Sequence, residues 1–192
     1  MKRSDDALGG LLGEAGEPGD AELLVELSRV LAPRASRAGA RERLLASARS
    51  PALRWAPHFD KLSRLFDVDE AALRQIAEGS ALPERWETLP LPGVRLFHLN
   101  PGPTLAGADA GLVSIAAGTR FPLHRHSGEE RTLVLEGALS EADGTLYRPG
   151  DSLTMLEGSS HSFTVLPGPT LIYAVLLFAP IEIDGERFPP AR

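Results

Sequence analysis

The chain contains no cysteine. Disulfides, thiolate nucleophiles and cysteine-based zinc sites are therefore excluded, and any bound metal must be held by nitrogen and oxygen. A basic excess is also missing. The formal charge is −6 at pH 7, which argues against generic binding to duplex DNA, where a protein living on phosphate carries surplus Lys and Arg. No uninterrupted apolar run approaches the ~18 residues that suggest a membrane span. The start, Met1 to Asp6, lacks the apolar core of a signal peptide. A soluble, cytoplasmic protein with no membrane partner and no direct nucleic-acid contact is the expectation.

What is present is ordinary for a globular protein: 43% hydrophobic and 24% charged residues over 192 positions, enough for one generous domain or two small ones. The charge is uneven. Residues 1–83 hold 12 Lys/Arg against 13 Asp/Glu, whereas residues 84–192 hold 8 against 13. Between Arg29 and Arg54 there are seven arginines and a single acid, Glu42. Such a segment suits an acidic partner surface or a solvated helix face.

Residues 1–19, rich in Gly, Asp and Glu, read as a loosely docked tail with a short apolar patch at Leu8, Leu11 and Leu12. Asp20 is placed to cap a helix over Ala21–Leu31, whose leucines recur at helical spacing. A second helix is expected at Ser36–Ala48, closed by Ser50 and Pro51. A third follows Pro57, with Phe59, Leu62, Leu65 and Phe66 on one side. A fourth spans Asp69–Glu78, started by a capping Asp and stopped at Gly79. Together these predict a small four-helix N-terminal domain over residues 20–83.

Pro83, Pro90, Pro92, Pro101 and Pro103 then exclude helix. From Val94 the pattern becomes short β-prone runs separated by Gly, Pro or Asp turns: Val94–Leu99, Leu112–Ala116, Arg131–Glu136, Ser152–Leu156, Ser162–Leu166 and Leu171–Phe178. Closely spaced strands of this kind predict a sandwich or barrel over residues 84–192, so the whole chain is read as α+β, mainly β. Asp143 and Gly144 form a hairpin turn signal.

The chemistry concentrates between Gly118 and Gly137. Strand side chains alternate between faces, so His124 and His126 point the same way and can chelate one cation. Ser127 and Gly128 let the chain turn, which brings Glu130 to the same point from the next strand. Two imidazoles and one carboxylate form a ligand set for non-thiophilic metals that commonly leaves coordination positions open. His161, beginning a later apolar run, is the best candidate for a fourth ligand. Glu129 is one residue out of step and faces the other side. The ligand set does not fix the metal: zinc, iron, manganese, nickel and cobalt are all compatible. Imidazoles bind only when neutral, so affinity is expected to fall below about pH 6.5, the ordinary histidine value.

These residues resemble the cupin superfamily. Gly118, His124, His126, Glu130 and Gly137 occupy all five fixed positions of its first motif. Gly150, Gly158 and His161 match the second, while Leu156 stands where the family usually has Pro and Val165 where it has Asn. The resemblance implies a jelly-roll β-barrel holding one divalent metal through His124, His126, Glu130 and His161. A cupin behind a helical domain is similar to the ChrR-type anti-sigma factors. The runs Pro92–His98 and Phe121–Glu130, and the helical stretch Ala21–Ala48, carry that likeness. The resemblance implies a partner, an ECF-type sigma factor gripped by the N-terminal helices, a signal read through the cupin metal, and a homodimer paired through the barrel. There is one departure. Zinc-dependent anti-sigma domains of this type use a helical His-Cys-Cys motif, which a chain without cysteine cannot form.

The alternative is a metal-dependent enzyme, an oxygenase or isomerase acting on a small molecule, with Tyr147 or Tyr173 as acid or base. Leu62–Ile76 also mimics a helix-turn-helix. Its second helix opens with Asp69 and Glu70, which would repel phosphate, so plain helix packing is the better reading. His58 and His98 are read as ordinary polar residues, and Trp55 and Trp86 as residues sealing the helical segment.

Overall fold

The computed structural model describes residues 37–188. The chain divides into two compact units, residues 1–40 and 41–192, and the second contains the elements that build the site. The tail and the helix expected at Ala21–Leu31 lie outside the described residues.

The first helix, α1, spans Ala40–Arg49. It starts later than Ser36 because Gly39 has a positive φ of 69°, a conformation that does not continue into a right-handed helix. Pro51 opens a helix rather than only closing one. It occupies the first turn of the short α2, Pro51–Trp55, where its missing N–H costs nothing. The third helix, α3, is Phe59–Phe66, and the fourth, α4, is Glu70–Gly79. Asp69 caps α4 as expected, its Oδ1 accepting from the Ala72 N–H at 2.8 Å.

Among the described residues twelve strands follow, in two six-stranded antiparallel sheets. The first runs in the order β1 (Glu87–Thr88), β2 (Val94–Leu99), β3 (Asp109–Ile115), β10 (Leu171–Leu177), β5 (Glu130–Glu136), β8 (Ser152–Met155). The second runs β12 (Glu186–Phe188), β11 (Ile181–Ile183), β4 (Arg120–His126), β9 (Ser160–Val165), β6 (Leu139–Glu141), β7 (Leu146–Tyr147). The six expected runs fall on β2, β3, β5, β8, β9 and β10. The short β1, β6, β7, β11 and β12 carry too few residues for a period to register.

Two apolar cores share the first sheet. Between the sheets, Val113, Phe121, Val134, Phe163, Tyr173 and Val175 pack inward. On the opposite face of β3, β5 and β10, residues Leu112, Leu133, Leu135, Ala174 and Leu176 meet α2, α3 and α4 through Trp55, Leu62, Phe66 and Leu73. Strands buried on both faces read as unbroken apolar runs, as Leu171–Leu177 does, whereas β4 alternates buried and exposed residues along its second half. The expectation that Trp55 seals the helical segment holds in a specific form. Trp55 is 1% exposed and its indole N–H donates to Glu136 Oε1 on β5 at 2.8 Å. Arg54 adds a charge-assisted bond to the same oxygen at 2.8 Å. The part of residues 20–83 that the structure describes between Pro51 and Gly79 therefore shares its core with the barrel.

The helix-turn-helix mimicry of Leu62–Ile76 resolves as helix packing: Leu62, Phe66 and Leu73 are buried in the core beneath the sheet. Among the described residues no helix is long and apolar enough to cross a membrane.

Candidate metal centre

His124 and His126 lie on β4 with two residues' spacing, and both point between the sheets, 3% and 1% exposed. His161 on β9 is the cross-strand partner of His124. Pro122 cannot donate to the ladder, and the β4–β9 register shifts between Phe121 and His124. The freed Pro122 carbonyl then accepts from His124 Nδ1 at 2.9 Å. The three imidazoles converge. Their ring centroids are 4.4 to 5.1 Å apart, and one nitrogen from each lies within 4.8 Å of the others. Phe121 and Phe163, stacked at 5.0 Å, floor the cluster.

Glu130 begins β5 in the facing sheet, also buried, and its Oε2 approaches His126 Nδ1 at 3.6 Å. The turn that returns it runs through Gly128, where a Cβ would sit 2.8 Å from the Ala179 Cβ. At the far end of β5 the motif's Gly137 has φ of 70°, and a Cβ there would come within 2.8 Å of Leu171 Cα. Gly128 and Gly137 thus hold the turns at the two ends of β5. Glu129 faces outward and pairs with Arg131. Arg125 is exposed beside Glu182 at 3.7 Å.

One participant carries no motif signal. Glu141 on β6 receives the His161 Nδ1–H, both carboxylate oxygens lying 3.0 Å away. Glu141 pairs with Phe163, two residues beyond His161 on the same face. Only the β6–β9 register reveals it, and in the sequence Glu141 is simply an acid before a turn.

The donor atoms fit a cation. Hydrogen bonds to Pro122 and Glu141 fix the Nδ1–H tautomers of His124 and His161 and leave Nε2 of each directed elsewhere. Both ring nitrogens of His126, and Nε2 of His161, are buried without a hydrogen-bond partner among the described residues. Orphaned buried polar atoms of this kind are costly unless something uses them. Three histidines here can form a metal site.

Electrostatics follow from burial. Desolvation pushes His124 down to about 3, partly opposed by its bond to Pro122, and pushes His126 down to about 4. Desolvation also raises Glu130 to about 7, with the Glu141 charge adding to the rise and His161 opposing it. The expected loss of metal affinity below pH 6.5 therefore shifts in origin. Between about pH 5 and 7 those two imidazoles are already neutral, and the proton that competes with a cation sits on Glu130.

The metal-free chain should show the same balance in its stability. Unfolded histidines take protons below about 6.5 while His124 and His126 in the fold do not, so stability falls as pH drops from 6.5 toward 4. Glu130 acts oppositely: its folded form keeps a proton up to about 7, so stability falls as pH rises from 4.5 through 7. Two histidines outweigh one carboxyl, so urea midpoints of the metal-free chain are expected to rise from about pH 4.5 and level off near pH 7, and Glu130→Gln should steepen that rise. An unchanged slope between about pH 4.5 and 7 would show that Glu130 is not buried as an acid.

Comparison with known proteins places this geometry in context. The profile of a family described as the ChrR Cupin-like domain matches residues 79–179. No curated protein sequence matches. Solved structures with similar folds include an RmlC-like cupin protein from Ralstonia eutropha, at 17% identity and TM-score 0.44 over 50% of this chain and 64% of that one. The match thus spans less than two thirds of the Ralstonia protein. Rhodobacter sphaeroides SigE in complex with the anti-sigma ChrR matches at 26% identity and TM-score 0.46, over 81% of this chain and 75% of that one. An acetylacetone dioxygenase from Acinetobacter johnsonii matches at 15% identity and TM-score 0.45, over 56% and 78%.

Proposed function

Since the chain belongs to the ChrR cupin-like domain family, we propose that it is a metal-binding cupin regulator that sequesters an ECF-type sigma factor through its N-terminal helices. His124, His126, Glu130 and His161 would hold one divalent ion, zinc first among those that nitrogen and oxygen donors accept. A bound ion supplies an electrostatic tie among β4, β5 and β9, and an open coordination position where a signal molecule could act.

The observation that carries the reading is the family match over residues 79–179, with the buried imidazole cluster inside it. A regulator of this kind needs its signal site and its helices to be energetically coupled, because a ligand shifts an equilibrium only through different affinities for two states. Strand β5 supports such coupling. Glu130 opens it at the metal cluster, Leu133 and Leu135 pack beneath the helices, and Glu136 ends it on Trp55 and Arg54. The absence of cysteine means that the helices would bind by apolar packing and arginine contacts, with no metal of their own.

The test is pairwise. The full-length chain should bind one of the ECF sigma factors of its own genome and inhibit that factor's transcription with purified core polymerase. If it binds none of them, the regulator reading falls. The full chain is needed because Pro51–Gly79 loses its apolar partner when the barrel is removed.

A further inference from the structure

The outer face of the first sheet, the face that packs on the helices, carries a groove of about 350 Å³ beside α3, within the range of small-molecule sites. Its cations come from two elements. Lys61 and Arg64 are three residues apart on α3, so they share a side of the helix. Arg131 lies two residues before Leu133 on β5 and points to the same outer face. Register adds hydroxyls: Thr154 on β8 is the cross-strand partner of Arg131, and Ser152 is that of Leu133. Leu65 and Leu153 contribute apolar wall.

Charge sets this groove apart. Among the described residues, three bases and no acid line it, although the chain as a whole carries −6. Like charges gathered in a cleft repel one another and raise its attraction for an anion. Existing contacts leave much of that charge unanswered. Lys61 Nζ donates to the Gly150 carbonyl at 2.6 Å, which holds the ammonium beside the start of β8 without neutralising it. Glu129 accepts from Arg131 Nε at 2.5 Å, and the Phe178 ring lies 5.2 Å from the guanidinium carbon. The terminal nitrogens of Arg131 remain available. The Arg64 side chain has no hydrogen bond or ion pair among the described residues.

An occupant has to answer several positive groups and hydroxyl donors at once. A phosphoryl group does so, because it carries about −1.5 to −2 charge at pH 7, offers three acceptor oxygens and matches the guanidinium fork bidentately. A carboxylate brings less charge and fewer oxygens. The groove is larger than a bare phosphate requires, and Leu65 and Leu153 give an organic portion a surface to lie on. The negative charge of the whole chain disfavours a nucleic-acid strand. We propose that this groove binds a small organic phosphate, whose phosphoryl oxygens are held by Lys61, Arg64 and Arg131. Such a ligand bridges α3 to β5 and β8, and so ties a helix to the barrel from outside.

The probe is phenyl phosphate, titrated by saturation-transfer NMR into the full-length chain with and without a chelator, which separates this groove from any phosphate contact with a metal. Saturable binding with Kd below about 1 mM is expected in both conditions, with benzoate roughly tenfold weaker. Arg64→Gln should weaken phenyl phosphate about tenfold or more, the usual effect of a hydrogen bond to a charged group. The exposed position of Arg64 means that Tm should not change. Arg120→Gln makes the same charge change on the second sheet and should leave the affinity as it is. No saturable binding, binding lost with the chelator, or benzoate binding as tightly as phenyl phosphate would each overturn the assignment. Equal affinity in Arg64→Gln, an equal loss in Arg120→Gln, or tighter binding of a short single-stranded DNA would do so too. The outcome does not depend on the metal or sigma-factor readings.

Discussion

Trp55→Ala is expected to destabilise the whole described unit by about 3–5 kcal/mol, the usual cost of removing a large aromatic from a closed core. Trp55 is 1% exposed and lies where α2 meets the outer face of the first sheet. Its loss opens a cavity against that sheet and removes one of the donors that Glu136 accepts. The Arg54 guanidinium still reaches Glu136, so the carboxylate is not left bare. The diagnostic feature is cooperativity. Because α2, α3 and α4 share one core with β3, β5 and β10, helical and sheet signals should melt together in wild type and variant alike. Phe66→Ala, at a residue 0% exposed, should behave similarly. Separate transitions for helices and strands, followed by circular dichroism and tryptophan fluorescence, would contradict a shared core.

Metal retention should change most sharply with the histidines. Wild-type protein purified without chelator is expected to carry about one divalent ion per chain, and His124→Ala/His126→Ala essentially none, because two of the donor side chains are gone. Elemental analysis gives the answer directly, and equal metal content in both proteins would refute the assignment. Glu141→Ala tests the supporting layer. It removes the acceptor that orients the His161 ring, and outer contacts of this kind are worth roughly 10- to 100-fold in metal affinity. Glu141→Gln keeps an acceptor oxygen without the charge and should fall between wild type and Glu141→Ala in a zinc-chelator competition. The variant sites line the inner sheet faces, so melting curves without metal serve as the control for folding.

The histidine cluster was legible because its information is local. His124, His126 and Glu130 sit within a few residues of one another, alternation along a strand puts the two imidazoles on one face, and the fixed glycines Gly118 and Gly137 flank the segment. His161 was reached through a second motif of the same kind. The helices at Ala40–Arg49, Phe59–Phe66 and Glu70–Gly79 also followed from spacing and capping, with Asp69 acting as its position implied. The α2 helix was less visible, since Pro51 reads equally as a stop and as a first helical residue.

Composition, spacing and the absence of cysteine determined by themselves that the second half is a β structure and that any metal there would meet nitrogen and oxygen donors rather than sulfur. Tertiary structure alone decided which face each apolar run serves. Leu133, Val134 and Leu135 look alike in the chain, yet Val134 packs between the sheets while its neighbours support helices. The pairing of Glu141 with His161 and the burial that neutralises His124 and His126 likewise depend on strands distant in sequence meeting in one register. Side-chain alternation can be written in a short stretch of residues; the partner across the sheet and the water excluded between layers exist only once the chain has closed on itself.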